Sequence, residues 1–256
     1  MLEKLHAVNY YILIMTSLEK QNTYNLLKSA SSWILGYESP EFKKMPDFKD
    51  DTITVIESTS LSDIAAQIHE CRNCILGTLR TNAVPGEGYE QPYVMVIGEG
   101  PGEDEDKTGR PFVGKAGQLL DKMLASICLD RKCNCFIANI VKCRPPHNRT
   151  PLPEEADSCI HFLKKQIETA HPKMILAMGR TAVQNLLNTS EGINALRGKF
   201  MDYNGIPLMA TYHPSALLRN ESLKRPAWED LKAFRAKMEE LMPEYKDSFN
   251  AMYRQA

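Results

Sequence analysis

Nowhere does this 256-residue chain carry an apolar run long enough to cross a bilayer. The longest one near its start, Val8–Met15, is broken by Asn9 and two tyrosines, and no small-residue cleavage site follows it. These absences lead to the expectation of a cytoplasmic protein that makes no membrane contact. An even cysteine count is lacking too. There are seven, and an odd number argues against a closed disulfide framework. In a reducing compartment, clustered thiols more often ligate metal or stay free. Internal repeats and low-complexity tracts are also absent.

Net charge is almost missing, at −1, but that figure hides an asymmetry. Residues 1–60 hold 6 Lys and no Arg against 8 acids, whereas residues 131–225 hold 14 Lys and Arg against 7 acids. This distribution suits a protein that meets a polyanion on one face, and scattered surface lysines would give the same count. A hydrophobic content of 43% with 25% charge is ordinary for a globular protein, and the length implies one large domain with an attachment.

The pattern divides the chain into residues 1–60, an N-terminal helical appendage and linker, and residues 61–256, the main domain. In the first part, apolar residues recur at helical spacing until Gly36 and Ser39-Pro40, and residues 45–60 have no steady period. In the second, short apolar runs (Tyr93–Gly98, Phe136–Val141, Met174–Met178, Pro207–Thr211) alternate with helices predicted over Lys115–Cys128, Pro153–His171, Arg180–Asn188 and Pro226–Met242. Alternation of this kind predicts an α/β fold: a parallel sheet covered by helices on both faces, with its active site at the carboxyl ends of the strands.

Three segments carry chemistry. The first is Gly98-Glu99-Gly100-Pro101-Gly102, followed by four acids from Glu103 to Asp106. Its glycines let backbone N–H groups approach a ligand. The dinucleotide fingerprint and the P-loop fail on spacing, and the calcium loop fails because its twelfth position is Lys115 rather than Glu, which leaves a strand-end loop of unassigned chemistry. The second is a cysteine set, Cys71-Arg72-Asn73-Cys74 together with Cys143 and Cys159. Four such thiolates can hold zinc or a [4Fe–4S] cluster, and spacing does not separate the two; Cys133-Asn134-Cys135 is the rival ligand pair. The third is Tyr212-His213-Pro214-Ser215 directly after the last strand, where a histidine is either catalytic or simply hydrogen-bonded within its loop.

Taken together, Gly98–Gly102, Lys107–Gly117, Asn139–Pro146 and His213-Pro214-Ser215 resemble the family-4, iron–sulfur uracil-DNA glycosylases over about Ile68–Glu240. The resemblance implies a three-layer α/β/α sandwich around a central four-stranded, mainly parallel sheet. It implies an enzyme that flips uracil out of single- or double-stranded DNA and hydrolyses its N-glycosidic bond, initiating base excision repair as a monomer. It also implies that Cys71, Cys74, Cys143 and Cys159 bind a [4Fe–4S] cluster. Gly100 and Gly102 would line the base pocket, Phe112 would stack on uracil, and Asn139 would read its Watson–Crick edge. His213 would donate to the leaving base, and Leu217, Leu218 and Arg219 would enter the duplex. Better-known uracil glycosylases place a water-positioning aspartate where this chain has Gly100, so that role falls to Glu99 or Glu105, and Glu105 could instead guard against thymine's methyl group.

Two rivals remain at this level. One is a non-catalytic DNA-binding or polymerase-associated module of the same fold; the other is an electron-transfer protein that uses the cluster. The N-terminal 60 residues are expected to pack on the domain or to dock a replication partner.

Overall fold

Four runs of aliphatic and small residues form the centre of the sheet: β2 (Val94–Gly98), β3 (Cys135–Asn139), β4 (Met174–Met178) and β6 (Ile206–Thr211). Every residue of the first three is buried, which an α/β sheet achieves only when both faces are covered. The computed structural model describes residues 60–254, so the appendage expected over residues 1–60 lies outside the described residues, Ser60 excepted.

Among the described residues the sheet has six strands, with β1 (Glu87–Gly88) and β5 (Phe200–Tyr203) at its edges, in the order β1-β3-β2-β4-β6-β5, rather than the expected four. The four central strands are mutually parallel, as predicted. The two extra strands are antiparallel edges, β1 beside β3 and β5 beside β6. One is two residues long and the other is mostly outside the core, so neither leaves a clear apolar signature. At the carboxyl edge Gly98 sits in register with Asn139, and Met178 with Thr211.

Alternate side chains feed two cores. Met95, Ile97, Phe136, Ala138, Ile175 and Ala177 pack against α1 (Leu61–Glu70), α5 (Pro153–Ala170) and α6 (Arg180–Leu187). Val94, Val96, Ile137, Met174 and Leu176 pack against α4 (Lys115–Ala125), α9 (Lys224–Leu241) and Tyr245 of α10 (Tyr245–Arg254). Each fully buried Leu or Ile contributes about 1.5–3 kcal/mol, so the layers are held chiefly by this two-sided burial. Helix α5 begins as its sequence suggested, with Pro153 in its first turn and Glu155 accepting the Leu152 N–H at 2.8 Å. Shorter helices α2 (Ile75–Leu79), α3 (Glu103–Thr108), α7 (Ile193–Leu196) and α8 (Pro214–Arg219) shape the strand-end loops. Among the described residues no helix is long and apolar enough to cross a membrane.

Candidate active site

A cavity of about 630 Å³ opens at the carboxyl ends of the parallel strands, with Glu99, Gly100, Phe112, Asn139, Thr181 and His213 among its lining residues. β3 and β4 flank β2 on opposite sides, and such a switch in strand order opens a crevice where ligands bind in α/β folds. Three segments well separated in sequence thus meet at one place.

Asn139, the last residue of β3, is 1% exposed. Its Oδ1 is, among the described residues, the one buried side-chain nitrogen or oxygen without a hydrogen-bond partner. Leaving an acceptor in that state costs about 1–3 kcal/mol, which a ligand N–H would recover. Across the ladder, a Cβ at position 98 would stand 2.5 Å from both Asn139 Oδ1 and the Phe112 ring. Glycine there keeps the amide and the ring in place.

Phe112 is buried with φ of 52°, a left-handed conformation that a bulky residue adopts only when its surroundings impose it. Gly117 supplies the room: any Cβ there would lie 2.0 Å from the Phe112 carbonyl. Arg131 donates to the carbonyls of Pro111 and Phe112 at 2.8 and 3.0 Å. Glu105 Oε1 accepts the N–H groups of Val113 and Gly114 at 2.8 and 2.9 Å, while its Oε2 accepts Gly102 N–H at 3.1 Å. The Glu105 carboxylate is therefore engaged with backbone and ties the glycine loop to the Phe112 loop.

His213 follows β6, its ring centroid 5.6 Å from that of Phe112. Its Nδ1 accepts the Ser215 backbone N–H at 3.2 Å and lies 2.9 Å from Ser215 Oγ. That places the imidazole proton on Nε2. Burial, aided by the Arg219 guanidinium, pushes the pKa down to about 4, so the ring is neutral at pH 7. Behind it, Asp230 accepts the hydroxyl of Thr211, the final β6 residue, at 2.7 Å and a bidentate pair from Arg197. Arg197 in turn lies over the Tyr212 ring, 5.0 Å from its centroid. Nothing in the sequence signals this support, because Arg197 and Asp230 are 33 residues apart.

The two candidate carboxylates differ. Glu99 lines the cavity and accepts a hydrogen bond from Thr181 Oγ1 at 2.5 Å, whereas Glu105 is occupied as described. At Gly100 a Cβ would stand 2.7 Å from Val141 Cγ2, so this chain has no ready room for an acid there. The rim is basic, with Arg149, Arg180 and Arg219. Of the three residues expected at a duplex, Leu217 is instead 2% exposed and packed in the core, while Leu218 is 49% exposed and Arg219 faces solvent. Successive residues of α8 point about 100° apart around its axis, which turns Leu217 to the core and Leu218 to solvent.

Cys71, Cys74, Cys143 and Cys159 gather on one face of the sheet, with Cys143 and Cys159 in the core cluster and the other two packed against it. Burial pushes the Cys143 thiol up, against the pull of the Arg80 guanidinium beside it. Arg80 Nη1 donates to Cys143 Sγ at 3.1 Å, and the Lys142 backbone N–H donates to Cys159 Sγ at 3.3 Å. Burial pushes the Cys159 thiol up to about 11. Among the described residues no three His, Cys, Asp or Glu side chains group tightly enough to hold one metal ion. The rival Cys135 lies on the other face of the sheet, away from this group.

Residues 85–232 match the model of the uracil DNA glycosylase superfamily. A type-4 uracil-DNA glycosylase of Thermotoga maritima is 45% identical over 172 residues, 66% of this chain and 89% of that protein. One from Archaeoglobus fulgidus is 41% identical over 181 residues, 68% of this chain and 90% of that protein. A DNA polymerase of Bacillus phage SP01 is 28% identical over 145 residues, 57% of this chain but 15% of the polymerase.

Proposed function

Since the chain belongs to the uracil DNA glycosylase superfamily, and to its type-4 members, we propose that it acts in DNA repair by hydrolysing the bond between uracil and deoxyribose through residues at three strand ends. The observation that carries the reading is the orphaned Asn139 Oδ1 inside a cavity shared with Phe112 and His213.

Uracil N3–H satisfies that acceptor while the Asn139 amide donates to O4. Cytosine offers the opposite pattern and is refused, because a buried polar group would be left unpaired. Phe112 stacks on the flipped base, using a π-face that every base has. The His213 Nε2–H donates to O2 as negative charge builds on the departing base. A donor aimed at developing charge in a closed site contributes about 3–4 kcal/mol, or roughly a hundredfold to a thousandfold in rate. Glu99 is the carboxylate left to hold the attacking water, since Glu105 has its oxygens on three backbone amides. Leu218 fills the gap in the stack, and Arg219 meets the phosphates.

Cys71, Cys74, Cys143 and Cys159 would hold the [4Fe–4S] cluster. They fit it in number and in softness, and they lie in or against one core cluster on one face of the sheet. Bound there, it supplies a rigid tie between the Cys71–Cys74 segment and the sheet. The protein works on single- or double-stranded DNA as a monomer.

The deciding assay measures free uracil released from a U·G duplex. Release by the wild type that falls sharply in Asn139→Ala and His213→Ala, with duplex binding intact, supports this reading. A wild type that binds the duplex and releases nothing at any salt concentration leaves the non-catalytic module in its place.

A further inference from the structure

Lys142 is 1% exposed, one of the largest fully buried side chains of the described residues. Its hydrogen bonds run to neutral groups. Nζ donates to the Asn139 carbonyl at 2.9 Å and to Gln166 Oε1 at 2.7 Å. Gln166, itself 1% exposed, passes the link on by donating from Nε2 to the Pro85 carbonyl at 2.8 Å. Burying an amine without a carboxylate is costly, and methionine would fill similar space without that cost. A residue kept under those terms earns an account of what it holds.

What it holds is the peptide unit that carries Asn139. The Asn139 side chain has nothing in the protein to accept at Oδ1, so no hydrogen bond to that oxygen sets its orientation. The backbone on which it stands must be fixed instead. On one side the ladder does this, with Gly98 in register and the Ile140 N–H donating to the Gly98 carbonyl at 3.0 Å. On the other side the partner of the Asn139 carbonyl is the Lys142 ammonium. Lys142 is in turn held by its own backbone: its carbonyl accepts Val84 N–H at 2.8 Å, and its N–H donates to Cys159 Sγ at 3.3 Å.

We propose that Lys142 is a positioning residue for Asn139, pinning its carbonyl so that the side-chain amide stays aimed at the incoming base. This rests on the reading of Asn139 as the group that recognises uracil. It makes the segment Asn139–Cys143 one unit, with the base reader at one end, a thiol of the cysteine group at the other and the strut between.

The test uses the full chain with its cluster and four variants: Lys142→Met, Lys142→Gln, Asn139→Ala and the double variant Lys142→Met/Asn139→Ala. Measured are the single-turnover rate of uracil release, inhibition by free uracil, affinity for an unmodified duplex and the melting temperature. In Lys142→Met the rate falls ~10–100-fold, the scale expected for misplacing a recognition group by about 1 Å, and free uracil inhibits more weakly, while duplex affinity stays within about twofold. Lys142→Gln, which keeps an N–H donor, recovers part of the rate. The double variant Lys142→Met/Asn139→Ala is no slower than Asn139→Ala alone, because the strut has nothing left to aim. A wild-type rate in Lys142→Met overturns the proposal, and so does an additive loss in the double variant. If both Lys142 variants fail to fold, Lys142 is scaffold alone and the proposal falls too. Full activity in Asn139→Ala would instead remove the underlying reading of the pocket, so the two failures are distinct.

Discussion

The backbone N–H of Ser215 points at Nδ1 of His213 from 3.2 Å, and that contact fixes which ring nitrogen carries the proton into the cavity. It also opposes protonation, because an imidazolium has no lone pair to offer the amide. The folded pKa of about 4 lies below the ordinary 6.5, so the unfolded chain binds the extra proton first. The stability contributed by the neutral ring is present above pH 6.5 and is lost as the pH falls from there towards 4. By pH 5 the loss amounts to at most about 2 kcal/mol, less where solvent in the cavity reaches the ring. Denaturant unfolding at pH 7 and pH 5 should show this loss in the wild type and not in His213→Gln. Uracil release should stay flat between pH 8 and 5.5 as far as this group controls it; an inflection at 6.5 carried by His213 would contradict the buried neutral ring.

Glu99 and Glu105 separate by what each substitution disturbs. Glu105→Ala frees three backbone N–H groups and unties the loop that keeps Phe112 at positive φ, so a loss of about 2–4 kcal/mol in stability is expected along with a lower rate. Glu99→Gln leaves the fold almost unchanged, because an amide oxygen can accept the same hydrogen bond from the Thr181 hydroxyl. Its rate should drop tenfold or more if it holds the water. Melting curves beside single-turnover rates check both, and a slow but unstable Glu99→Gln would reverse the assignment.

Much of this arrangement was legible in the residues, and the boundary of legibility is physical. The four parallel strands announce themselves because burial on both faces demands unbroken apolar runs such as Met174–Met178. The edge strands do not: Glu87–Gly88 is too short for a period, and Phe200 is 40% exposed. Phe112, Asn139 and His213 were found from motifs, and all three line one cavity. Leu217 was assigned to the duplex with its neighbours, and only the phase of α8 reveals that it faces the core. The Lys142–Gln166 and Arg197–Asp230 pairs stayed hidden, since their partners are 24 and 33 residues apart and meet only once the sheet has formed.

Position 98 offers a sharp test of the pocket. Alanine there would bring a methyl group to 2.5 Å from both Asn139 Oδ1 and the Phe112 ring. Neither neighbour can retreat easily, since the amide stands on a pinned strand end and the ring on a backbone held by Gly117. Gly98→Ala should therefore lose about a hundredfold or more in uracil release while still binding an unmodified duplex. Retained activity with unchanged inhibition by free uracil would show that base and protein do not meet at this point.

The cysteine group predicts a coloured protein. Cys143 is buried and its Sγ receives the Arg80 guanidinium, so Cys143→Ala removes both a proposed cluster ligand and an anchor for that arginine. It should lose the broad visible absorption of an iron–sulfur cluster and melt at a lower temperature, whereas Cys135→Ala, on the opposite face of the sheet, should keep its colour. A colourless wild type that carries zinc would reject the cluster.

The two adjacent leucines of α8 give opposite expectations, because one faces the core and the other faces solvent. Leu217 is 2% exposed among the residues that pack under β6, so Leu217→Ala should cost about 2–5 kcal/mol of stability. It should leave the ratio of rates on double- and single-stranded uracil DNA unchanged. Leu218 is 49% exposed and precedes the cavity-lining Arg219, and losing its side chain costs the fold little. Its proposed place in a duplex is the gap left by the flipped nucleotide, and keeping that gap open matters only where there is a stack to interrupt. Leu218→Ala should thus slow release from duplex DNA about tenfold or more and barely affect release from a single strand. Rates on the two substrates, measured under single-turnover conditions, decide the matter: an equal slowing on both would mean that Leu218 shapes the pocket rather than enters the helix.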